Sequence, residues 1–184
     1  AFEKKIQNLS SIRIMDMGTG SGEMLKKMHH LSLRCGKRML GLGVDANPHI
    51  VSYAKEHTSP TLEIAYAAKD VFDQTCYTAP VDIIHASLFT HHFSTEQLVW
   101  LFRQWKASAT EAVIINDLHR HTLAYHSIKW LTQLFSKSSM VKYDAPLSVA
   151  RGFKKKELQE ILLAAGIHDY QLKWKWAFRW LLIF

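Results

Sequence analysis

The stretch Asp16-Met17-Gly18-Thr19-Gly20-Ser21-Gly22 joins an apolar run, Ile12 to Met17, to a helix-like pattern from Gly22 to about Leu33. Glycines between a strand and a helix allow a tight bend, and they let a ligand approach the backbone without a Cβ in the way. The stretch therefore predicts a strand, a ligand-binding turn and a helix.

Two aspartates near this turn indicate the kind of ligand. Asp16 comes directly before the turn, where a carboxylate would repel a pyrophosphate but would attract an amino group. Asp45 ends the next apolar run, where a carboxylate can accept hydrogen bonds from two ribose hydroxyls. Glu23 stands where a dinucleotide motif would need its last glycine. The pattern favours a positively charged nucleoside over a dinucleotide.

Strands and helices alternate outward from the turn. Nearly continuous apolar strands that alternate with helices indicate a parallel sheet covered on both faces, which is an α/β fold. The predicted strands are Ile12–Met17, Met39–Val44, Leu62–Ala67, Val81–Ala86 and Ala112–Asn116, and the helices between them include Pro48–His57 and Thr95–Trp105.

The alternation changes after the fifth strand. A helix from His121 to about Phe135 is followed by an irregular stretch, Ser136 to Gly152, and by a helix from Lys154 to Ala165. An insertion at about 118–152 would lie above the ligand crevice, so we expect it to act as a lid. The tail, Tyr170 to Phe184, alternates aromatic with basic residues and predicts an edge hairpin, with a membrane-surface strip as the alternative.

Composition sets outer limits on the function. A chain of 184 residues with 48% hydrophobic content suits one domain spanning residues 1–184. No apolar run is long enough to span a bilayer, and Cys35 and Cys76 lack metal-ligand spacing, so we expect a soluble, cytoplasmic protein. The charge of +7 is scattered apart from Lys154–Lys156, which makes nucleic acid an unlikely partner. The first strand comes so early that an N-terminal cap could be missing from this sequence.

Four segments resemble the class I S-adenosylmethionine-dependent methyltransferases, and the likeness covers nearly the whole chain. Residues 16–22 look like the first motif of that family, 43–48 like its acidic ribose-binding loop, and 69–72 like the loop whose aspartate faces the adenine amine. Residues 81–93 are similar to the fourth motif of the ubiquinone-biosynthesis-like branch. The resemblance implies a Rossmann-like, seven-stranded, mostly parallel sheet with helices on both faces and an antiparallel C-terminal strand.

The resemblance also implies the ligands. S-adenosyl-L-methionine would be the cofactor, S-adenosyl-L-homocysteine the product, and a small molecule the methyl acceptor of a monomer or homodimer. The residues assigned to the cofactor are Asp16, Gly18, Thr19, Gly20, Gly22, Asp45, Ala46, Asn47, Asp70, Val71 and Ser87.

Methyl transfer requires alignment of the reacting groups and, for a hydroxyl acceptor, removal of a proton. Histidine is the natural base near neutral pH, and the ends of strands four and five carry several. We expect His119 to be the base, then His91, with Asp117 alongside. The residues expected to contact the acceptor are His92, His121, Tyr125 and Arg151.

The predicted lid is strongly apolar and aromatic. This composition suits an aromatic or lipid-like hydroxylated metabolite, with O-methylation favoured and C-methylation possible. The residues concerned are Trp130, Leu131, Leu134, Phe135, Met140 and Tyr143. No metal is expected, because residues 85–87 lack the aspartate that the magnesium-dependent catechol-type enzymes carry after strand four.

The sequence is also compatible with three other functions. Tyr125 and Lys129 have the Tyr-x-x-x-Lys spacing of short-chain dehydrogenases, although the glycine spacing disagrees with that class. The pI of about 9.4 leaves an RNA methyltransferase as an alternative. A domain that binds S-adenosylmethionine without catalysis is the third possibility.

Overall fold

The computed structural model describes residues 10–184, and the expectation of a missing N-terminal cap concerns residues outside that range. The strands are β1 Ser11–Met17, β2 Arg38–Asp45, β3 Ile64–Ala68, β4 Val81–Ser87, β5 Ala109–Leu118, β6 Gln171–Lys175 and β7 Arg179–Ile183. The α-helices are α1 Glu23–Arg34, α2 Pro48–Glu56, α3 Thr95–Ser108, α4 Thr122–Phe135, α5 Ser139–Arg151 and α6 Lys155–Ala164. Short 3₁₀ turns cover Gln74–Tyr77 and Thr90–His92.

The described strands form one seven-stranded sheet in the order β3-β2-β1-β4-β5-β7-β6. Strands β1 to β5 pair in parallel, and β7 runs antiparallel to both β5 and β6. The predicted Rossmann-like sheet with an antiparallel C-terminal strand is therefore confirmed. Because the carboxyl ends of β1, β2, β4 and β5 lie at one edge, the turns that follow them come together there.

Two apolar layers cover the sheet. One contains the fully buried Phe102 and Trp105 of α3 with Leu162 of α6. The other contains Leu25 of α1 and Val51 of α2. These helices hold the strands in register, so the turns at the carboxyl edge rest on a rigid base.

Strand β5 is longer than its apolar run predicted. It continues to Leu118 because β7 pairs with it there, with Asp117 opposite Trp180 and Leu118 opposite Arg179. Pairing with a segment so distant in the chain leaves no local sequence signal. The extension carries Asp117 and His119 to the carboxyl edge of the sheet.

The expectation of an irregular stretch over residues 136–152 is wrong, because most of it forms α5. Ser138 caps this helix by accepting a hydrogen bond from the backbone N–H of Val141 at 3.4 Å. Pro146 lies inside the helix and removes one backbone bond. Pro146 and Val149 are both buried, and α5 packs against α4. Tertiary packing therefore outweighs the helix-breaking tendency of proline.

The tail forms the expected hairpin from β6 and β7 although no glycine marks its turn. Phe178 takes the left-handed conformation with φ of 55°. Its ring stacks on His121 at 5.1 Å between centroids, and its carbonyl accepts a 2.9 Å bond from the backbone N–H of His119. These contacts offset the strain of a non-glycine residue in that conformation.

An ion pair between the buried Asp82 and the exposed Arg13 ties β1 to β4 and gives the fold a pH dependence. Asp82 accepts bonds from the backbone N–H of Arg13 at 2.7 Å and from its guanidinium at 2.8 Å. Burial raises the pKa of Asp82, but the hydrogen bonds and charge of Arg13 outweigh it and lower the pKa overall. Because the pKa of Asp82 is lower in the folded protein than in the unfolded chain, the ionised form of Asp82 stabilises the fold. This stabilisation is complete above the unfolded-state pKa of about 4, and it is lost as the pH falls through the folded-state pKa.

We expect Asp82→Ala to lower the free energy of unfolding by about 1–3 kcal/mol at pH 7, because the backbone N–H and the guanidinium of Arg13 lose their buried acceptor. Urea denaturation would measure this, and the difference from the wild type should shrink below about pH 4. The exposed pair Arg38–Glu63 provides the control, since Glu63→Ala should cost less than about 1 kcal/mol. A difference for Asp82→Ala that stays constant with pH would contradict the assignment.

Candidate active site

The glycine turn between β1 and α1 is fixed by β2. The backbone N–H groups of Gly18 and Thr19 both donate to the carbonyl of Val44, at 2.9 and 3.1 Å. Gly18, Gly20 and Gly22 have positive φ angles of 68°, 54° and 76°. Such a succession of left-handed residues requires glycine.

The space around the three glycines differs. A side chain at Gly18 would overlap the ring of Phe89, and one at Gly22 would overlap Tyr66. A Cβ atom at Gly20 would have no atom of the described residues within 4 Å. The absence of a side chain at Gly18 and Gly22 therefore makes room for aromatic rings of this same chain. Of the three glycines, only Gly20 leaves room for a ligand.

Asp45, at the end of β2, holds the turn from the side. One of its carboxylate oxygens accepts a bond from the backbone N–H of Gly20, and the other accepts from Asn47, both at 3.0 Å. A carboxylate oxygen has two lone pairs, so further donors can bind. Ala46 is exposed, and Asn47 caps α2 through a 3.0 Å bond from the N–H of His49.

Asp16 is buried beneath the turn. Its carboxylate accepts a 2.8 Å bond from the hydroxyl of Thr19 and contacts His85 Nδ1 at 2.6 Å. Asp16 and His85 are register partners on β1 and β4. Local sequence does not single out His85, because it does not reveal the strand order that brings His85 beside Asp16.

The loop after β3 contains the predicted adenine-facing residues. Asp70 is exposed and accepts a 2.9 Å bond from the backbone N–H of Phe72. Val71 is buried, and its carbonyl accepts a 2.6 Å bond from the hydroxyl of Tyr77. Burial raises the pKa of Tyr77 to about 12, so this hydroxyl keeps its proton.

Ser87, at the end of β4, accepts a 3.4 Å bond from the side chain of Asn116.

His91 and Asp117 form a buried pair at the ends of β4 and β5. His91 Nδ1 lies 2.7 Å from one carboxylate oxygen of Asp117. The other oxygen accepts bonds from the backbone N–H of Thr90 at 2.7 Å and from its hydroxyl at 2.6 Å. Burial raises the pKa of Asp117, but the bonds from His91 and Thr90 and the charge of His91 outweigh it and lower the pKa overall. Asp117 therefore stays ionised near neutral pH.

The other ring nitrogen of this histidine is the unusual atom of the site. His91 Nε2 is buried and has no hydrogen-bond partner among residues 10–184. Since buried polar atoms are nearly always paired, this one is available for a ligand.

His91 lies in the wall of a cavity of about 710 Å³ at the carboxyl edge of the sheet. Helices α4 and α5 form one side of the cavity, and the β6–β7 turn forms another. The lining is Leu88, His91, His92, Leu118, His119, Ala124, Ser127, Ile128, Leu131, Ala145, Ser148, Val149, Trp176, Ala177, Phe178 and Arg179. Local sequence does not single out most of the apolar lining, because isolated apolar residues on α5 and the hairpin cannot be distinguished by pattern from residues of the hydrophobic core.

The other histidines differ in their surroundings. His119 also lines the cavity, and its Nδ1 accepts a 3.2 Å bond from the indole N–H of Trp174. Burial and the neighbouring His121 lower the pKa of His119. His92 lines the cavity as well, and desolvation followed by the charge of His91 lowers its pKa.

Three residues expected to contact the acceptor lie outside the cavity lining. His121 caps α4 by accepting a 3.2 Å bond from the N–H of Leu123. Tyr125 packs against His126, with ring centroids 5.4 Å apart. Arg151 is exposed at the end of α5. Of the six apolar lid residues, only Leu131 lines the cavity, and all six are exposed.

Residues 10–184 contain neither a metal-binding cluster nor a membrane-spanning helix. No group of three or more His, Cys, Asp or Glu side chains in this range is arranged to hold a metal ion. None of the helices described here combines the length and the apolar character needed to cross a membrane.

Solved structures with the same fold are methyltransferases. The magnesium protoporphyrin IX methyltransferase of Synechocystis PCC 6803, solved with S-adenosylhomocysteine, has a TM-score of 0.63 and 16% identity over 98% of this chain. The plantazolicin methyltransferase, solved with a substrate analogue and S-adenosylhomocysteine, has a TM-score of 0.69 and 18% identity over 94%. Human N-acetylserotonin methyltransferase, solved with S-adenosylmethionine, has a TM-score of 0.63 and 16% identity over 93%. This chain spans 76%, 62% and 46% of those three chains, respectively.

Comparison at the sequence level identifies the family. No curated protein sequence matches the chain. The family model described as "Methyltransferase domain" matches residues 14–111, which include the glycine turn, Asp45 and the whole of β4. Because this match covers more than half of the chain and agrees with the fold, the chain belongs to the methyltransferase-domain family, as the resemblance implied.

Proposed function

We propose that this chain transfers the methyl group of S-adenosylmethionine to a hydroxyl of a small aromatic or lipid-like acceptor. One observation carries the proposal: His91 lines the apolar cavity, its buried Nε2 has no hydrogen-bond partner among the described residues, and Asp117 contacts Nδ1 of the same ring. Methyltransferases of the same fold act on magnesium protoporphyrin IX, plantazolicin and N-acetylserotonin, which supports a small-molecule acceptor.

The glycine turn fits S-adenosylmethionine. Gly20 leaves open space beside the half-buried carboxylate of Asp45, which suits a ribose with two hydroxyl donors. Asp16 adds a negative charge beneath the turn, which favours a cationic ligand. Asp70 is exposed on the neighbouring loop and can accept a bond from an adenine amine. When bound, the cofactor supplies an electrophilic methyl group on a positively charged sulfur.

His91 takes the proton of the acceptor hydroxyl in this proposal. Asp117 accepts a hydrogen bond from Nδ1–H of His91, which fixes the tautomer in which Nε2 carries no proton. Once His91 is protonated, the adjacent carboxylate stabilises its charge. Asp117 is a positioning residue, because its own oxygens are occupied by His91 and Thr90 and do not face the cavity.

The lining of the cavity indicates the acceptor class. Ten of the sixteen lining residues are apolar, and the polar ones are three histidines, two serines and one arginine. An acceptor that fills the cavity must therefore be largely apolar and present its hydroxyl to His91. Oxygen is the favoured methylation site because a base is placed to remove its proton, while carbon methylation of a phenol remains the alternative within this proposal.

Incubation with S-adenosylmethionine labelled in its methyl group would test the proposal. Alkyl-substituted phenols should become labelled, and matched alkylbenzenes without the hydroxyl should not. NMR of the product would separate O-methylation from C-methylation. Label found only in added RNA, or S-adenosylhomocysteine binding without any transfer to the phenols, would contradict the proposal.

A further inference from the structure

Helices α4 and α5 carry a surface of large exposed apolar side chains. Phe135 is 79% exposed, Tyr143 72%, Leu134 70% and Trp130 68%. Contiguous apolar surface of this kind is unusual on a soluble protein and marks an interaction site. We call this surface, formed by residues 122–143, the α4–α5 face.

The charge of the α4–α5 face is positive. No Asp or Glu occurs between Thr122 and Tyr143, and the first acidic residue beyond it is Asp144. Lys129 and Lys137 are exposed, and Lys142 is half-buried. None of the three lysines forms an ion pair with a described residue. The partner of this face must therefore tolerate apolar contact and bring negative charge.

The tip of the β6–β7 hairpin has the same character. Trp176 is 87% exposed and Trp174 is 48% exposed, and Lys173 and Lys175 alternate with them on the same strand and turn. Tryptophan prefers the boundary between apolar and aqueous phases, and lysine beside it favours anionic headgroups.

Both surfaces border the acceptor cavity. Leu131 is 52% exposed and also lines the cavity, so it lies where the α4–α5 face meets the opening. Trp176 and Phe178 line the cavity from the hairpin side. The two exposed aromatic and basic surfaces therefore border the same cavity.

We propose that the α4–α5 face and the hairpin tip bind the surface of an anionic lipid bilayer, with the cavity opening toward the membrane. Charge complementarity identifies the partner, because a bilayer with anionic headgroups has both an apolar interior, in which aromatic side chains can be buried, and a negatively charged surface that attracts lysines. A second copy of this chain would bring two positively charged faces together if the α4–α5 faces met in a symmetric dimer, without the negative charge that a partner must supply. The docking extends the proposed function by giving a lipid-like acceptor a direct path to the cavity, but binding itself does not require methyl transfer.

Sedimentation with vesicles tests the proposal without cofactor or acceptor. The chain should bind phosphatidylcholine vesicles that contain about one-third phosphatidylglycerol at least tenfold more tightly than pure phosphatidylcholine vesicles. Each lysine removed near the surface should weaken binding about fivefold, so Lys129→Gln with Lys137→Gln should lose about twentyfold or more. The double variant Trp130→Ser with Phe135→Ser should lose binding to a similar extent.

Leu163→Ser provides the matched control, because Leu163 is 65% exposed on α6, outside the cavity lining. This control should bind vesicles like the wild type. Unchanged S-adenosylhomocysteine affinity in every variant would show that the fold is intact and would separate this proposal from the proposed function.

Three outcomes would overturn the docking proposal. They are equal binding to neutral and anionic vesicles, no sedimentation with either, and a dimer in analytical ultracentrifugation that Trp130→Ser with Phe135→Ser dissociates.

Discussion

His91→Asn is expected to lower kcat for methylation of a phenolic acceptor by about a hundred- to ten-thousand-fold, the range typical for loss of a general base. Asparagine can still donate to Asp117 from a similar position, so the loop after β4 should keep its structure. Affinity for S-adenosylhomocysteine should stay within about threefold of the wild type, because His91 lies in the acceptor cavity. Steady-state kinetics and calorimetry measure the two quantities.

His119→Asn is the matched control for this prediction, since His119 lines the same cavity but its Nδ1 is bound to Trp174. It should lower kcat far less than His91→Asn does. Asp117→Asn should also lower kcat and should change the pH profile of the rate, because the residue that sets the orientation of His91 loses its charge. A larger loss from His119→Asn than from His91→Asn would assign the base to His119 instead.

Asp45→Ala is expected to weaken binding of S-adenosylhomocysteine by about a hundredfold or more. The change removes the acceptor that fixes Gly20 and Asn47, together with the acceptor proposed for the ribose hydroxyls. Hydrogen bonds to a charged group contribute about 1.5–3 kcal/mol each, and about 1.4 kcal/mol corresponds to a tenfold change in affinity. Isothermal titration calorimetry measures the effect directly.

Glu63→Ala serves as the control, because Glu63 also accepts hydrogen bonds, from Arg38, but lies at the amino end of β3, at the opposite edge of the sheet from the glycine turn. Its affinity for S-adenosylhomocysteine should equal that of the wild type. If Asp45→Ala binds S-adenosylhomocysteine as tightly as Glu63→Ala does, the glycine turn does not hold the nucleoside in the proposed way.

Much of the fold was predictable because its signals are local. The glycine turn, the apolar strands and the alternation of strand and helix each depend on neighbours within a few positions. The same applies to the alternating tail, which folds into the hairpin of β6 and β7. The family resemblance added the seven-stranded sheet with its antiparallel C-terminal strand and the cofactor, and the family match confirms the methyltransferase assignment. The ubiquinone-biosynthesis-like branch stays a prediction.

The candidate site was predictable only in part. Asp45 and the glycines are adjacent in space because they follow neighbouring strands, and the structure brings them together as expected. Tyr125 and Arg151 were expected to contact the acceptor on the basis of chain position alone, yet the helix pair directs them away from the cavity lining. Side-chain direction on a helix depends on what the helix packs against, which no local pattern records.

The sequence by itself therefore determined the order of strands and helices, the glycine turn and the pool of histidines near the strand ends. Tertiary structure alone decided which histidine is oriented, because the pairing of His91 with Asp117 depends on β4 lying beside β5. It also turned residues 139–151 into a helix despite Pro146 and left the apolar side chains of α4 exposed. Each of these outcomes follows from contacts between segments that are distant in the chain, and such contacts arise only when the sheet and its helices assemble.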